Sequence, residues 1–256
     1  MSVTLFHRIL GEGQPLFILH GLFGSSDNWQ THAKALSEHF QVILVDQRNH
    51  GHSPHHDEMN YDVMADDLYA LMQNLNCTSA HFIGHSMGGK TVMRLAQKHP
   101  QVIHRMIVAD MGIRAYPPHH DAVFQGLFHV DAAHCPTRKE AEERLSTFVE
   151  ELSTRQFLMK NLYWIEPGKL AWRFNLPVLS EQREFLMAAL PTVTTDAQTL
   201  FLTGGKSHYV KQEEYESILR VFPQATFQEM PLAGHWLHAE DPQGFMQHAI
   251  AYLTMP

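Results

Sequence analysis

The sequence predicts an α/β fold in which a mostly parallel, doubly wound sheet carries a helical insertion, and three observations predict it. Short apolar runs alternate along the chain with amphipathic stretches, an order typical of strands and helices in α/β proteins. This alternation stops after Gly112 and resumes near residue 199. The length of 256 residues and the hydrophobic content of 44% suit one large domain with ample core material.

The strands are predicted from short apolar runs that are rich in Ile, Val, Leu and Phe. Such runs are typical of strands buried on both faces of a parallel sheet. They occupy residues 15–20, 42–46, 80–85, 105–110 and 199–204, and a last strand is expected at 225–230. Near the amino terminus the segment VTLFHRIL is interpreted as an antiparallel edge strand.

Helices are predicted where apolar residues recur three and four positions apart. In the core this pattern occupies residues 64–75, 90–100 and 245–253. From residue 113 to 184 the chain is mostly helix-like, with no strand-like run. We therefore predict a core whose two parts are residues 1–112 and 185–256, with residues 113–184 inserted as a helical lid.

Composition and charge indicate which kinds of molecule this protein is expected to bind. The formal net charge is −8 and no dense Lys/Arg stripe occurs, so no nucleic-acid surface is expected. The longest apolar stretches have the length of strands, so we expect no membrane-spanning helix and no membrane partner. The amino terminus has polar and charged residues where a signal peptide requires an unbroken apolar run. A small-molecule substrate is the expected partner.

Cysteine and histidine content indicate no structural metal, no cofactor and a reducing compartment. Two cysteines, Cys77 and Cys135, are too few for a disulfide framework, so we interpret them as reduced thiols of a cytoplasmic protein. Histidine is frequent, with 20 residues, but the adjacent pairs at 55–56 and 119–120 lack the spacing of zinc ligands. We interpret the pairs as solvated loop residues and expect neither metal nor cofactor.

A nucleophile is indicated by Gly84-His85-Ser86-Met87-Gly88, a G-x-S-x-G pattern that follows an apolar strand and precedes an amphipathic helix. A serine on a sharp strand-to-helix turn has a strained backbone, and glycine at the flanking positions removes side-chain clashes. The hydroxyl then stands clear of the sheet, near the positive end of the helix dipole. The alternative interpretation is a glycine-rich packing turn.

A serine nucleophile requires donors for the oxyanion that forms on the substrate. The segment HGLFG, residues 20–24, follows the strand at 15–20 and lets the backbone turn so that N–H groups face the substrate. We expect one donor to be the amide of Met87 and the other to be the amide of Leu22 or Phe23. The imidazole of His20 is expected to order this loop without taking part in catalysis.

The serine also requires a base that takes its proton. The segment PLAGHWLHAEDP, residues 231–242, follows the last predicted strand and places Gly234 before His235. A glycine at that point suits a tight loop, so His235 is predicted to be the base. His238 is the alternative, although it lies on the far side of Trp236.

Together the motifs LHGLFGSSDNW, VDQRNHGHS, FIGHSMGGK and AGHWLHAEDP resemble the α/β-hydrolase superfamily, and more narrowly the YbfF-type bacterial esterases. The resemblance covers the chain from about residue 3 to residue 254 with the motifs in order. It implies an α/β-hydrolase fold with a helical lid. Asn49 departs from the commoner D-x-R-G-x-G pattern, and this variant is similar to the YbfF-type group.

The general superfamily pattern places the triad acid after the strand at 199–204, where this chain has Lys206 and Ser207. The fold also allows an acid at the end of the preceding core strand, which here is Asp110. The YbfF-type resemblance implies Asp110. Asp196 and Asp241 are weaker candidates because they lie away from the strand end. We further hypothesise that the Ser207 hydroxyl assists the His235–Asp110 pair.

Serine chemistry on such a fold is acyl transfer to water, so the sequence predicts a serine hydrolase that acts through an acyl-enzyme on Ser86. The resemblance implies short- to medium-chain carboxylic esters as substrates, and acyl-CoA thioesters as a further class. A carbon–carbon bond hydrolase of the same fold and a non-catalytic ligand-binding protein are the alternatives. Aromatic residues of the lid and of the histidine loop are expected to line the acyl pocket: Phe124, Phe128, Trp164 and Trp236.

Overall fold

A computed structural model describes residues 2–117, 120–130 and 135–255. Its strands, labelled in chain order, are β1 (His7–Leu10), β2 (Pro15–Leu19), β3 (Gln41–Val45), β4 (Ala80–His85), β5 (Ile103–Ala109), β6 (Leu162–Glu166), β7 (Lys169–Trp172), β8 (Thr199–Gly204) and β9 (Ala225–Met230). The helices are α1 (Gln30–Leu36), α2 (Tyr61–Asn74), α3 (Met87–Lys98), α4 (Asp121–His129), α5 (Arg138–Ser146), α6 (Leu152–Met159), α7 (Leu176–Glu181), α8 (Arg183–Met187), α9 (Tyr215–Val221), α10 (Leu237–Glu240) and α11 (Pro242–Leu253).

Seven strands form one sheet in the order β1-β3-β2-β4-β5-β8-β9. Six of them are parallel, and β1 pairs antiparallel with β3 at the edge. The predicted fold class and the predicted edge strand are therefore confirmed. Because parallel strands end at the same edge, the segments after β2, β4, β5, β8 and β9 emerge together.

The sheet is buried on both faces, which explains the unbroken apolar strands. In β2, Phe17 and Leu19 belong to a core cluster shared with α2 and α3. The alternate residues Leu16 and Ile18 belong to a second cluster on the other face, shared with α1 and α11. Side chains alternate between faces along a strand, so one apolar run fills two cores.

The segment predicted as a helical lid contains α4 to α7 and the start of α8, and also a two-stranded antiparallel hairpin, β6–β7. The expectation that this segment has no strand is therefore wrong. Tyr163, Trp164 and Ile165 are aromatic or β-branched and favour a strand. Pro167 and Gly168 form the connecting turn, in which Gly168 has φ of 77°.

The inserted segment shares its core with the sheet domain, because Phe124, Leu145 and Leu158 belong to the same apolar cluster as α2 and α3. The inserted segment is thus packed onto the sheet domain. Among the described residues, no helix has both the length and the apolar content needed to cross a membrane.

Candidate active site

Ser86 occupies the turn between β4 and α3 with a positive φ of 52°, a strained conformation for serine. The neighbouring glycines are required because a Cβ on Gly84 would lie 2.4 Å from the carbonyl oxygen of Gly88. A Cβ on Gly88 would lie 2.5 Å from the carbonyl oxygen of Leu19. This tight crossing of backbones places the serine at the amino end of α3, where exposed N–H groups favour developing negative charge.

His235, in the loop after β9, contacts both Ser86 and Asp110. Its Nε2 lies 3.0 Å from Ser86 Oγ, and its Nδ1 lies 2.7 Å from Asp110 Oδ2. A carboxylate only accepts hydrogen bonds, so Nδ1 carries the proton and Nε2 is left to accept the serine proton. This is the arrangement that a nucleophile, a base and an orienting acid require.

Asp110 follows β5 directly, and its side chain is fully buried. Its Oδ1 accepts a hydrogen bond from the Gly204 amide at 3.0 Å. Its Oδ2 accepts hydrogen bonds from the hydroxyl of Ser207 and from His235 Nδ1. Three donors thus surround one buried carboxylate and fix its orientation.

The alternative candidates lie elsewhere. His238 is buried and stacks on Trp29 with ring centroids 4.2 Å apart, and burial lowers its pKa to about 3. Asp241 accepts from the Gly244 amide and begins α11, whereas Asp196 is an exposed residue before β8. The structure brings none of the three into the hydrogen-bonded set of Ser86.

The loop after β2 presents the second group of predicted residues. The Phe23 amide donates to His50 Nε2 at 3.1 Å, so this N–H is already occupied. Burial lowers the pKa of His50 to about 3, which keeps the imidazole neutral and able to accept. Within the described ranges, the amides of Leu22 and Met87 have no hydrogen-bond acceptor. They border the same cavity as Ser86.

His20 holds this loop in place, as the sequence predicts. Its Nδ1 lies 2.8 Å from the Gly21 carbonyl oxygen and its Nε2 lies 3.0 Å from the Gln47 amide. Burial lowers the pKa of His20, so the ring is a neutral bridge between the loops after β2 and β3.

A cavity of about 310 Å³ lies above Ser86. Its lining includes polar residues from α6 and from the position that follows it: Ser153, Thr154, Gln156 and Lys160. Its interior is mainly apolar and aromatic, with walls from both parts of the core and from the lid: Tyr61, Met111, Tyr116, Val123, Phe157, Leu158, Leu186, Met187, Tyr209 and Trp236.

Of the four aromatic residues predicted to line an acyl pocket, Trp236 lies in this cavity, with its ring 5.4 Å from that of Phe157. The other three lie elsewhere. Phe124 is buried against Phe23 and Phe128 is exposed, and both border a separate, more open depression. Trp164 is exposed on β6 because the hairpin turns it outward.

Sequence reasoning missed several cavity residues. Leu186 and Met187 lie on α8, just after the predicted end of the lid at residue 184, and both line the cavity. Tyr209 stacks on His235, and the only signal for it was its position two residues after Ser207. Tyr116 lies in the first segment of the lid and carried no motif.

Lys90 fastens both ends of the lid to α3. Its Nζ donates to the carbonyl oxygens of Arg114, at 2.9 Å, and Ala188. The two lid connections also pair with each other, since the Tyr116 amide donates to the Met187 carbonyl oxygen at 2.8 Å. Lys90 is fully buried, and burial lowers its pKa to about 7.

Within the described part of the chain, no three His, Cys, Asp or Glu side chains converge as metal ligands. His55, of the first adjacent histidine pair, bonds the Arg173 carbonyl oxygen at 3.1 Å through Nε2. In the second pair, His119 lies outside the described residues.

Ser86 on the turn after β4, Asp110 after β5 and His235 after β9 follow the chain order Ser, Asp, His that is typical of α/β hydrolases. A family model described as alpha/beta hydrolase fold matches residues 14–242, and the chain belongs to this family.

Named relatives and a solved structure show which α/β hydrolases this chain is similar to. The Mus musculus protein named sn-1-specific diacylglycerol lipase ABHD11 is 38% identical over 248 residues, which cover 93% of this chain and 80% of that protein. Esterase YbfF of Escherichia coli K12 is 36% identical over 244 residues, 95% of this chain and 94% of that protein, which confirms the predicted resemblance. A solved marine microorganism esterase has a TM-score of 0.96 and 39% identity, and the match covers 98% of this chain and all of that one.

Proposed function

We propose that this protein is a serine hydrolase of carboxylic esters, with Ser86 as nucleophile, His235 as base and Asp110 as the acid that orients His235. The hydrogen-bonded path from Ser86 Oγ through His235 to Asp110 Oδ2, at 3.0 and 2.7 Å, carries this proposal. Esterase and lipase names among the relatives support it.

The reaction proceeds in two acyl transfers. Ser86 Oγ attacks the ester carbonyl carbon while its proton passes to His235 Nε2, and Asp110 stabilises the imidazolium. The imidazolium then returns the proton to the leaving alcohol, which leaves the acyl group on Ser86. A water molecule attacks the acyl-enzyme, its proton passes to Nε2, and the acid product departs as Ser86 regains its proton.

We assign the oxyanion to the amides of Leu22 and Met87. Both residues line the cavity, and neither amide has an acceptor among the described residues, whereas the Phe23 amide is bonded to His50. Phe23 therefore contributes the shape of the loop, with φ of 60°, and not a donor.

Substrate size follows from the cavity. Ligand sites for small molecules range from about 300 to about 1,000 Å³, so a volume of about 310 Å³ favours short- to medium-chain acyl groups. Trp236 and Phe157 supply part of the apolar wall. Acyl-CoA thioesters remain a prediction, since the same three groups would attack a thioester carbon in the same way.

We further propose that Ser207 supports the triad, because its hydroxyl donates to the same carboxylate oxygen that His235 binds. Removing this donor leaves the carboxylate with one compensating hydrogen bond fewer. Ser207→Ala is expected to lower kcat by about 10- to 150-fold, the equivalent of one hydrogen bond to a charged group. An unchanged rate and pH profile would reject the role of Ser207.

The function is tested by labelling with a fluorophosphonate probe and by kcat/KM across p-nitrophenyl esters from acetyl to palmitoyl, with Ser86→Ala as control. We expect labelling that depends on Ser86 and a maximum at short or medium chains. A labelled protein that leaves every ester and thioester intact would favour a carbon–carbon bond hydrolase. No labelling and no turnover would favour a non-catalytic ligand-binding protein.

We also propose that the protein is located in the cytoplasm. Cys77 and Cys135 are both free thiols, as a reducing compartment allows. Fractionation of cells that express the protein from its own gene tests this, and activity recovered outside the cytoplasmic fraction would reject it.

A further inference from the structure

One face of the His235 imidazole is covered by an aromatic ring to which the mechanism above gives no role. The Tyr209 ring stacks on it with centroids 3.7 Å apart and planes inclined by 13°. The hydrogen bonds at Nδ1 and Nε2 fix the two ends of the imidazole, but they hold the tilt of its plane less firmly. A flat ring in contact with one face limits that tilt.

Tyr209 is itself fixed from two sides. Its amide donates to Ser207 Oγ at 3.2 Å, and its carbonyl oxygen accepts from the Tyr116 hydroxyl at 2.8 Å. The Tyr116 oxygen also accepts from the Gly112 amide at 2.8 Å. One buried hydroxyl of the lid therefore joins the segment after Asp110 to the loop that carries Ser207 and Tyr209.

We propose that Tyr209 is a positioning residue for the His235 imidazole, and that the Tyr116 hydroxyl sets where the Tyr209 ring lies. The inference rests on the proposed function, because the stack matters to the rate only if His235 exchanges protons with Ser86. When His235 takes the proton, its positive charge faces the π cloud of Tyr209, and aromatic faces attract cations. The stack thus orients the base and stabilises its charged form.

The titratable groups that face His235 come from several elements. Asp110 follows β5, and His85, at the end of β4, has its ring 4.9 Å from that of His235. His238 lies on α10, and its pKa is lowered by burial. Glu240 ends α10, and its carboxylate accepts from the amides on both sides of His235. None of these groups changes when the Tyr209 ring is replaced.

The experiment compares Tyr209→Leu, Tyr209→Phe and Tyr116→Phe with wild type in kcat, KM, the pH profile of kcat/KM and Tm. Leucine keeps apolar volume but has no π face, whereas phenylalanine keeps the ring. Tyr69→Leu is a matched control, since Tyr69 stacks on His99 at 3.8 Å, outside the candidate site.

Tyr209→Leu is expected to lower kcat about 10- to 100-fold, as misplaced catalytic groups do, with a smaller change in KM. The acid limb of its kcat/KM profile should move to lower pH by about half to one unit, because the protonated imidazole loses the aromatic face. Tyr209→Phe should restore kcat to within about threefold, because it keeps the ring that orients the base. Tyr116→Phe should reproduce part of both changes, and Tyr69→Leu should lower Tm alone.

The inference is overturned if Tyr209→Leu keeps the wild-type kcat and acid limb, or if Tyr209→Phe is as impaired as Tyr209→Leu. Equal effects in Tyr69→Leu would show that lost stability is the cause. If Tyr209→Leu does not fold, an unchanged kcat and acid limb in Tyr116→Phe would overturn the role of the network. Esterase activity that survives in Ser86→Ala would instead reject the proposed function, and the inference with it.

Discussion

Replacing Asp110 by asparagine removes one charge and exchanges one acceptor for a donor while keeping the shape of the side chain. In the wild type, Oδ1 accepts from the Gly204 amide and Oδ2 accepts from both Ser207 and His235. Asparagine has one acceptor oxygen and one NH₂ group. If the oxygen keeps the Gly204 contact, the NH₂ group faces His235 and Ser207.

The expected cost follows from the tautomer of His235. An NH₂ group at 2.7 Å from Nδ1 must donate to it, which moves the ring proton to Nε2, the atom that faces Ser86. His235 then cannot accept the serine proton, and the imidazolium loses its counter-charge. Loss of a triad acid in this way lowers kcat by about 10³- to 10⁴-fold, which corresponds to about 4 to 5.5 kcal/mol of transition-state stabilisation.

The assay is kcat/KM for p-nitrophenyl butyrate, measured beside Tm. Asp196→Asn is the matched control, since it makes the same chemical change at an exposed residue before β8. We expect the control to keep wild-type kinetics and Asp110→Asn to fold with a strongly reduced kcat. A folded Asp110→Asn variant within about tenfold of the wild-type rate would refute the assignment and direct attention to another partner for His235.

Three further predictions concern the frame of the site. In urea unfolding, wild type should gain stability relative to Lys90→Met as pH rises from about 7 towards 10.5, because the folded state loses its lysine proton before the unfolded state does. A difference in unfolding free energy between the two proteins that stays constant across this pH range would contradict this prediction. The Glu240 carboxylate accepts hydrogen bonds from two amides of the loop that carries His235, and glutamine has only one acceptor oxygen. Glu240→Gln should therefore lower the free energy of unfolding by about 1 kcal/mol. An unchanged Tm would contradict this prediction. Gly88→Ala places a Cβ 2.5 Å from the Leu19 carbonyl oxygen and should cost about 1 to 3 kcal/mol. A wild-type Tm for Gly88→Ala would show that the backbone shifts enough to accommodate the Cβ.

The order of the sheet elements was predictable because strands buried on both faces produce continuous apolar runs of distinctive length. The hairpin β6–β7 was not recognised, since Tyr163 and Trp164 also fit the apolar stripe of a short helix. The available signal for this hairpin is the Pro167-Gly168 pair, because a turn of this kind requires a positive φ that glycine adopts readily.

Candidate catalytic residues could be chosen from the sequence where the proposed chemistry restricts it. Ser86 needs glycines at a backbone crossing, and His235 needs a tight loop after the last strand. Pocket residues are different, because an aromatic side chain on the lid serves equally well in the lid's own core. Phe124 and Trp236 carry the same kind of apolar surface, and only the path of the chain decides which of the two lines the cavity.

The order of strands in the sheet explains how Asp110 can serve as the proposed triad acid. β5 and β8 are adjacent, so residues that follow their carboxyl ends lie side by side, and the Asp110 amide even donates to the Leu202 carbonyl oxygen of β8 at 2.8 Å. A carboxylate after either strand can reach the same histidine nitrogen. When the acid follows β5, the loop after β8 is free to hold a hydroxyl instead, and Ser207 donates to the carboxylate from there. The absence of an aspartate after β8 is therefore compatible with an intact catalytic set, because the geometry requires one carboxylate at this edge and allows it on either strand.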